Sequence, residues 1–338
     1  MKYKWKIAIL IILFFVASQL VGLAVTASYK ENFYKKEREE KIPKNLTNLS
    51  EKKIPEENFT NISITREVIP EKIEIKTTFD FLQILISFLI ALIFATLLFI
   101  ILMKVGVIRV VRFWLFFVVS VGLFLCFSLL FYNLNFKITI KNFSFNFLEL
   151  FVLLAAIGLA YYKIYRRNII LHNITEIFVY PGIVILFLPI VNLYIALALL
   201  LILSVYDFIA VFKTKHMQKM AKFMVKDIKA FTGFFLPWLD KAQEEKIKKL
   251  KKLKSKKLKK VKLKVNVAAL GGGDIILPML FICTVFLNYG LINSLLIIFF
   301  SSLALLMLMV FGEKEKAYPA LPPLTLGCLF GYLVGLFL

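Results

Sequence analysis

The sequence predicts an all-α polytopic membrane protein with nine membrane-crossing helices, and three observations predict it. Of its 338 residues, 60% are hydrophobic and 15% aromatic, and the mean hydropathy is +0.82. A soluble domain of this length cannot hide so much apolar side chain. The apolar residues also fall into nine runs of spanning length, at about 5–28, 79–103, 113–132, 146–162, 174–191, 193–212, 266–288, 290–311 and 318–338. Finally, 43 basic and 21 acidic residues give a formal net charge of +22, with basic residues flanking the runs. That placement suits an anionic membrane surface better than a nucleic acid.

The first run follows Lys2, Lys4 and Lys6. It is too long for the apolar part of a signal peptide and "VTASYKENFY" is a poor cleavage site, so it reads as a signal anchor. Residues 29–78 come next, with 11 basic and 10 acidic residues and Asn-X-Ser/Thr sequons at Asn45, Asn48, Asn58 and Asn61. Runs five and six are divided only by the turn-like "PIVNLY" around Asn192. With the N-terminus set in the cytoplasm, the short inner segments hold eleven basic residues. They are Lys2, Lys4 and Lys6; Lys104, Arg109 and Arg112; Lys163, Arg166 and Arg167; and Lys314 and Lys316. The short outer segments hold only Lys137 and Lys141. The positive-inside rule therefore puts the N-terminus in the cytoplasm and the C-terminus outside a cell membrane.

Residues 213–264 hold 19 lysines and four acids. Within them "KIKKLKKLKSKKLKKVKLK" spaces Ile247, Leu250, Leu253, Leu258 and Val261 among lysines as an amphipathic helix would. Residues 246–264 are thus expected to lie on anionic lipid headgroups. No aromatic residues interleave with these lysines, so nucleic acid is not expected as a partner. The apolar "FTGFFLPWL", 231–239, is expected to dip into the interface. The chain divides into a six-helix part, 1–212, the lysine-rich loop, 213–264, and a three-helix part, 265–338. Cys126, Cys283 and Cys328 all fall inside apolar runs, and His172 and His216 form no ligand pair. Neither metal nor cofactor is expected.

The carboxylates are more telling. Ten of the 21 lie in 29–78 and four in 213–264; Glu313 and Glu315 follow run eight, and Asp80, Glu149 and Glu176 are placed at helix ends near headgroups. That leaves Asp207 and Asp274 inside apolar runs, where a charge costs about 3 kcal/mol on insertion scales. Asp207 is 15 residues from Asn192 and Asp274 is 14 from Asn288, the two outer helix ends. At the helical rise both sit roughly 21–23 Å down, at one level. Two carboxylates that close would share a proton, one serving as base toward water and the other as acid toward a carbonyl oxygen. Gly271, Gly272 and Gly273 leave room beside the second aspartate. Pro278 lacks the N–H that would bond its main-chain carbonyl. On these residues alone, a proton relay in a channel or transporter remains an alternative.

Three motifs together carry a resemblance: Tyr206-Asp207 near the end of run six, Gly271-Gly272-Gly273-Asp274 in run seven, and Pro319-Ala320-Leu321-Pro322 opening run nine. In order and helix number they resemble the presenilin and signal peptide peptidase family of intramembrane aspartyl proteases. The resemblance implies a presenilin-like nine-helix fold with Asp207 and Asp274 as catalytic dyad. It implies that Tyr206, the three glycines and Pro319 to Pro322 shape the site and meet substrate. Transmembrane helices or remnant signal peptides are the implied substrates. The closing Pro322 and the inner lysine-rich loop look like the presenilin branch, whereas "IILP" after Asp274 is closer to signal peptide peptidase. The compact chain is most similar to archaeal members. "FTGFFLPWL" is the one candidate for a self-cleaved segment, and a homo-oligomer is compatible with the sequence. A prepilin-type aspartyl peptidase is the rival within proteases, disfavoured by the Pro-Ala-Leu segment and the nine spans.

Overall fold

The computed structural model describes residues 5–41, 78–131, 137–140, 143–166, 168–214, 232–238, 266–312 and 318–338. Nine α-helices occur among them: α1 (Trp5–Lys41), α2 (Thr78–Val105), α3 (Ile108–Leu130), α4 (Phe147–Arg166), α5 (Ile169–Phe187), α6 (Leu193–Ile209), α7 (Gly273–Tyr289), α8 (Leu291–Phe311) and α9 (Leu321–Leu336). Seven are long and apolar enough to cross a membrane, while α7 and α9 are shorter apolar helices. The sequons Asn45, Asn48, Asn58 and Asn61, the lysine-rich stretch 246–264 and His216 lie outside the described residues.

Helix ends follow local chemistry. The side chain of Asn168 accepts from the amides of Ile170 and Leu171 at 3.0 and 3.4 Å, so α5 starts five residues before the expected run. Asn192 caps α6 through Ile195 N–H at 2.8 Å, which makes the division between runs five and six real. Beyond its apolar run, α1 continues to Lys41 through a segment rich in Lys, Glu and Arg, which are good helix formers.

Two departures from the expected all-helical pattern matter. The strands β1 (Lys137–Ile140) and β2 (Phe143–Asn146) form an antiparallel hairpin between α3 and α4. More consequentially, β3 (Gly233–Trp238) and β4 (Asn266–Gly271) pair antiparallel, Gly233 opposite Gly271. Run seven was expected to be helical from 266, but its first six residues are β4 and the helix waits until Gly273. The glycines break the apolar run, and the strand before them gains a partner in β3. "FTGFFLPWL" is likewise not an interfacial dip: Phe234 is fully buried, stacked on Phe14 of α1 at 5.3 Å and edge-on to Tyr180 of α5 at 5.9 Å.

One core joins α1 with α5 to α9, and a smaller cluster lies between α3, α4 and α5. Without a hydrophobic drive between helices in lipid, close packing at small residues holds them together. Gly182 of α5 sits directly on the backbone of Gly122 in α3, with no room for a Cβ. Gly327, Gly331 and Gly335 form a stripe along α9 against α8, where a Cβ on Gly331 would lie 2.7 Å from the Cα of Ile297. The outward apolar side chains, most of those on α2 included, are exposed as lipid-facing residues should be.

Candidate active site

Asp207 sits two residues before the end of α6, where a π-helical turn, Ala210–Thr214, follows. Such turns recur at functional sites because they redirect the last side chains of a helix. The carboxylate is 5% exposed. It is met by the start of α9, whose Leu321 N–H donates to its Oδ2 at 3.2 Å, with the Ala320 N–H directed at it as well. The first amides of a helix have no partner within it, and here a carboxylate supplies one. Pro322 and Pro323, in the first turn of α9, have no N–H to leave unsatisfied. Tyr318 closes the junction, its ring edge-on to Phe212 of the π-turn at 6.3 Å.

Asp274 stands in the first turn of α7, half-buried, with the amide of Gly271 facing its carboxylate. A helix start is where a negative side chain is best tolerated. Here α7 packs against α6, and α9 against both, so the two carboxylates stand at one junction. So α6, α7 and α9 converge, as three distant motifs, on one acidic pair.

The glycines do different work. A Cβ on Gly271 would lie 3.1 Å from Oδ2 of Asp274, and one on Gly272 would lie 3.1 Å from the ring of Tyr180. A Cβ on Gly273 would meet nothing within 4 Å among the described residues beyond its own turn. The crowding expected of all three thus falls on Asp274 only from Gly271. Pro319, Ala320 and Leu321 are buried and Pro322 is half-buried. Tyr206, though adjacent to Asp207, is 44% exposed and turns to the outside of α6.

Sequence reasoning missed one buried polar group near the site. Glu176 is not at a helix end near headgroups; it is 1% exposed in α5, with Lys163 of α4 at 2.9 Å from its Oε1. Lys163 therefore belongs to a buried ion pair and does not count among surface cations. The signal was available: His172, Asn173 and Glu176 share one helix face at i, i+1 and i+4.

The family model described as "Signal-peptide peptidase, presenilin aspartyl protease" matches residues 74–338. The chain belongs to this family. It is a multi-pass membrane aspartate protease, a hydrolase. No match was found among the curated proteins. Among solved structures, a presenilin family intramembrane aspartate protease in space group C222 superimposes with a TM-score of 0.56 at 17% identity, covering 98% of both chains. At that identity the likeness establishes the fold. A presenilin family protease in space group P2 matches with a TM-score of 0.48 and 20% identity over 75% of this chain and 83% of that one.

Proposed function

We propose that this aspartyl protease cleaves peptide bonds within transmembrane helices or remnant signal peptides, with Asp207 and Asp274 as the catalytic pair. The observation that carries this reading is the convergence of Asp207 and Asp274 where α6, α7 and α9 pack together, each carboxylate faced by at least one backbone amide. One carboxyl is protonated and the other ionised, since like charges so close cannot both ionise. The ionised member takes a proton from water as its oxygen attacks the carbonyl carbon, and the protonated member gives its proton to the carbonyl oxygen. The tetrahedral diol then collapses. Its C–N bond breaks as the nitrogen takes a proton from one aspartic acid and a diol hydroxyl returns one to the other carboxylate, so acid and amine products separate and the pair is restored. The amides of Ala320 and Leu321 keep the carboxylate of Asp207 in one orientation throughout. A substrate helix must unwind locally to expose its carbonyl, because helical backbone in lipid is otherwise fully bonded. Pro278 leaves the main-chain carbonyl of Asp274 without its helical partner, an acceptor available to such an unwound strand. The test is cleavage of a synthetic transmembrane peptide in proteoliposomes by the wild type and by Asp274→Ala. Cleavage by the latter would sink the reading.

The pair should titrate as a unit, so turnover against pH should be bell-shaped, with two apparent pKa values belonging to the pair. A rate rising steadily into alkali would point to a different nucleophile.

The proposed orientation is N-terminus inside and C-terminus outside. With Lys163 removed from the count, ten basic residues in short inner segments still outweigh Lys137 and Lys141 outside. The stretch 246–264 then meets the anionic inner leaflet, each near-surface lysine adding on the order of 1 kcal/mol. Both aspartates lie nearer this face, so the cytoplasmic part of a substrate leaves first. In intact cells a cysteine at Ser255 should resist an impermeant thiol reagent and one at Ser50 should react. The reverse pattern would invert the protein without touching the catalytic pair.

A further inference from the structure

The strand β4 delivers Asp274 to the site, yet a two-stranded hairpin has little stability of its own. What holds β3–β4 in place is visible on its other edge. The imidazole of His172 meets the carbonyl of Gly233, Nε2 to O, at 2.9 Å. Glu176 Oε1 accepts the Gly233 N–H at 3.3 Å. Asn173 bonds Phe235 twice, donating to its carbonyl at 3.0 Å and accepting its N–H at 2.9 Å. The outward-facing groups of Gly233 and Phe235 are thus satisfied by one face of α5. The next outward residue is Pro237, which has no N–H to offer. A turn further along α5, the ring of Tyr180 packs against Gly272, two residues before Asp274.

We infer that His172, Asn173 and Glu176, with Lys163 behind them, are positioning residues for Asp274: by fastening β3 to α5 they set where β4 ends and hence where the second carboxylate stands. The inference rests on Asp274 being catalytic, as proposed above. The chain of contacts is continuous, from the α5 side chains to β3, from β3 to β4, and from the Thr232 carbonyl to the Gly272 N–H at 3.3 Å. Asp207, by contrast, is held from α6 and α9. The two carboxylates are placed by separate supports, and the one beneath Asp274 is polar. A buried ion pair is a poor way to gain stability, because apolar residues of similar volume stabilise as well. Here Lys163 compensates a carboxylate whose partner is a strand amide, which ties a charge to a backbone position.

The experiment compares full-length variants in proteoliposomes by three readouts: cleavage kinetics of a synthetic transmembrane peptide, affinity for a hydroxyl-bearing peptide isostere of the tetrahedral intermediate, and thermal unfolding. Asn173→Ala should lower kcat roughly 10–100-fold, the scale for a reacting group displaced by about 1 Å. Isostere affinity should fall in parallel, with KM within about threefold, because substrate binding itself is untouched. His172→Gln keeps a donor for the Gly233 carbonyl and should retain most activity, whereas His172→Phe should not. This pair decides the matter if Asn173→Ala does not fold. Glu176→Gln leaves Lys163 buried without its counter-charge and should lose both stability and turnover, and adding Lys163→Met should recover both. Wild-type kcat in Asn173→Ala and His172→Phe overturns the inference, as does a loss of kcat in those two variants that merely tracks unfolding. Neither outcome touches the catalytic assignment, which stands or falls separately on whether Asp274→Asn cleaves.

Discussion

Asp207→Asn and Asp274→Asn should each reduce cleavage of a transmembrane peptide by on the order of 10⁴-fold or more, the scale seen when a member of a cooperating catalytic set is removed. Asparagine matches aspartate in shape, and at position 207 its carbonyl can still accept the Leu321 N–H that now reaches Oδ2 at 3.2 Å. What the amide cannot do is give up or accept the shared proton. Either substitution therefore blocks both the activation of water and the protonation of the carbonyl oxygen. The fold should not suffer. Asp207 is only 5% exposed, and exchanging one member of a proton-sharing pair for a neutral amide adds no buried charge. The unfolding midpoint should stay within about 5 °C of wild type or rise. Cleavage and melting measured on the same proteoliposome sample test both halves. Activity above a few per cent in either variant would remove that residue from the pair.

The parts of this architecture that follow from hydropathy and charge were legible at once. Apolar runs long enough to span lipid became nine α-helices among the described residues, and Asn192 proved the cap that separates α5 from α6. The intramembrane aspartates stood out for the same reason: lipid makes a lone carboxylate conspicuous. What hydropathy could not see was pairing. "NVAALG" is as apolar as a helix segment, and only its partner "GFFLPW", 33 positions earlier, makes it a strand. Glu176 was misplaced for a related cause. Hydropathy registers that an acid near a helix end can reach headgroups, but not that Lys163 of the preceding helix stands 2.9 Å away and lets it remain buried. The three glycines read alike in sequence, whereas their neighbours set them apart.

That separation yields the second large effect. Gly271→Val should cost roughly 100-fold in kcat, while Gly273→Val should leave kcat within about threefold. A Cβ on Gly271 would already lie 3.1 Å from Oδ2 of Asp274 and 3.8 Å from its Cγ. The two further carbons of valine then force the carboxylate to rotate or the end of β4 to withdraw from Gly233. Neither glycine is among the residues with positive φ, so no backbone strain confuses the comparison. The penalty at Gly271 is therefore a displacement of Asp274 itself. At Gly273 an added Cβ meets nothing within 4 Å among the described residues beyond its own turn, so Asp274 is not pushed and any effect belongs in KM. Gly271→Ala should fall between, because a lone Cβ asks the carboxylate to give by a few tenths of an ångström, worth on the order of 10-fold in kcat. Steady-state kinetics and melting on the three variants, with one transmembrane peptide, settle the matter. Equal loss of kcat at Gly271 and Gly273, or a loss at Gly271 that follows the melting temperature, would show that these glycines serve helix packing and that the position of Asp274 does not depend on the space beside it.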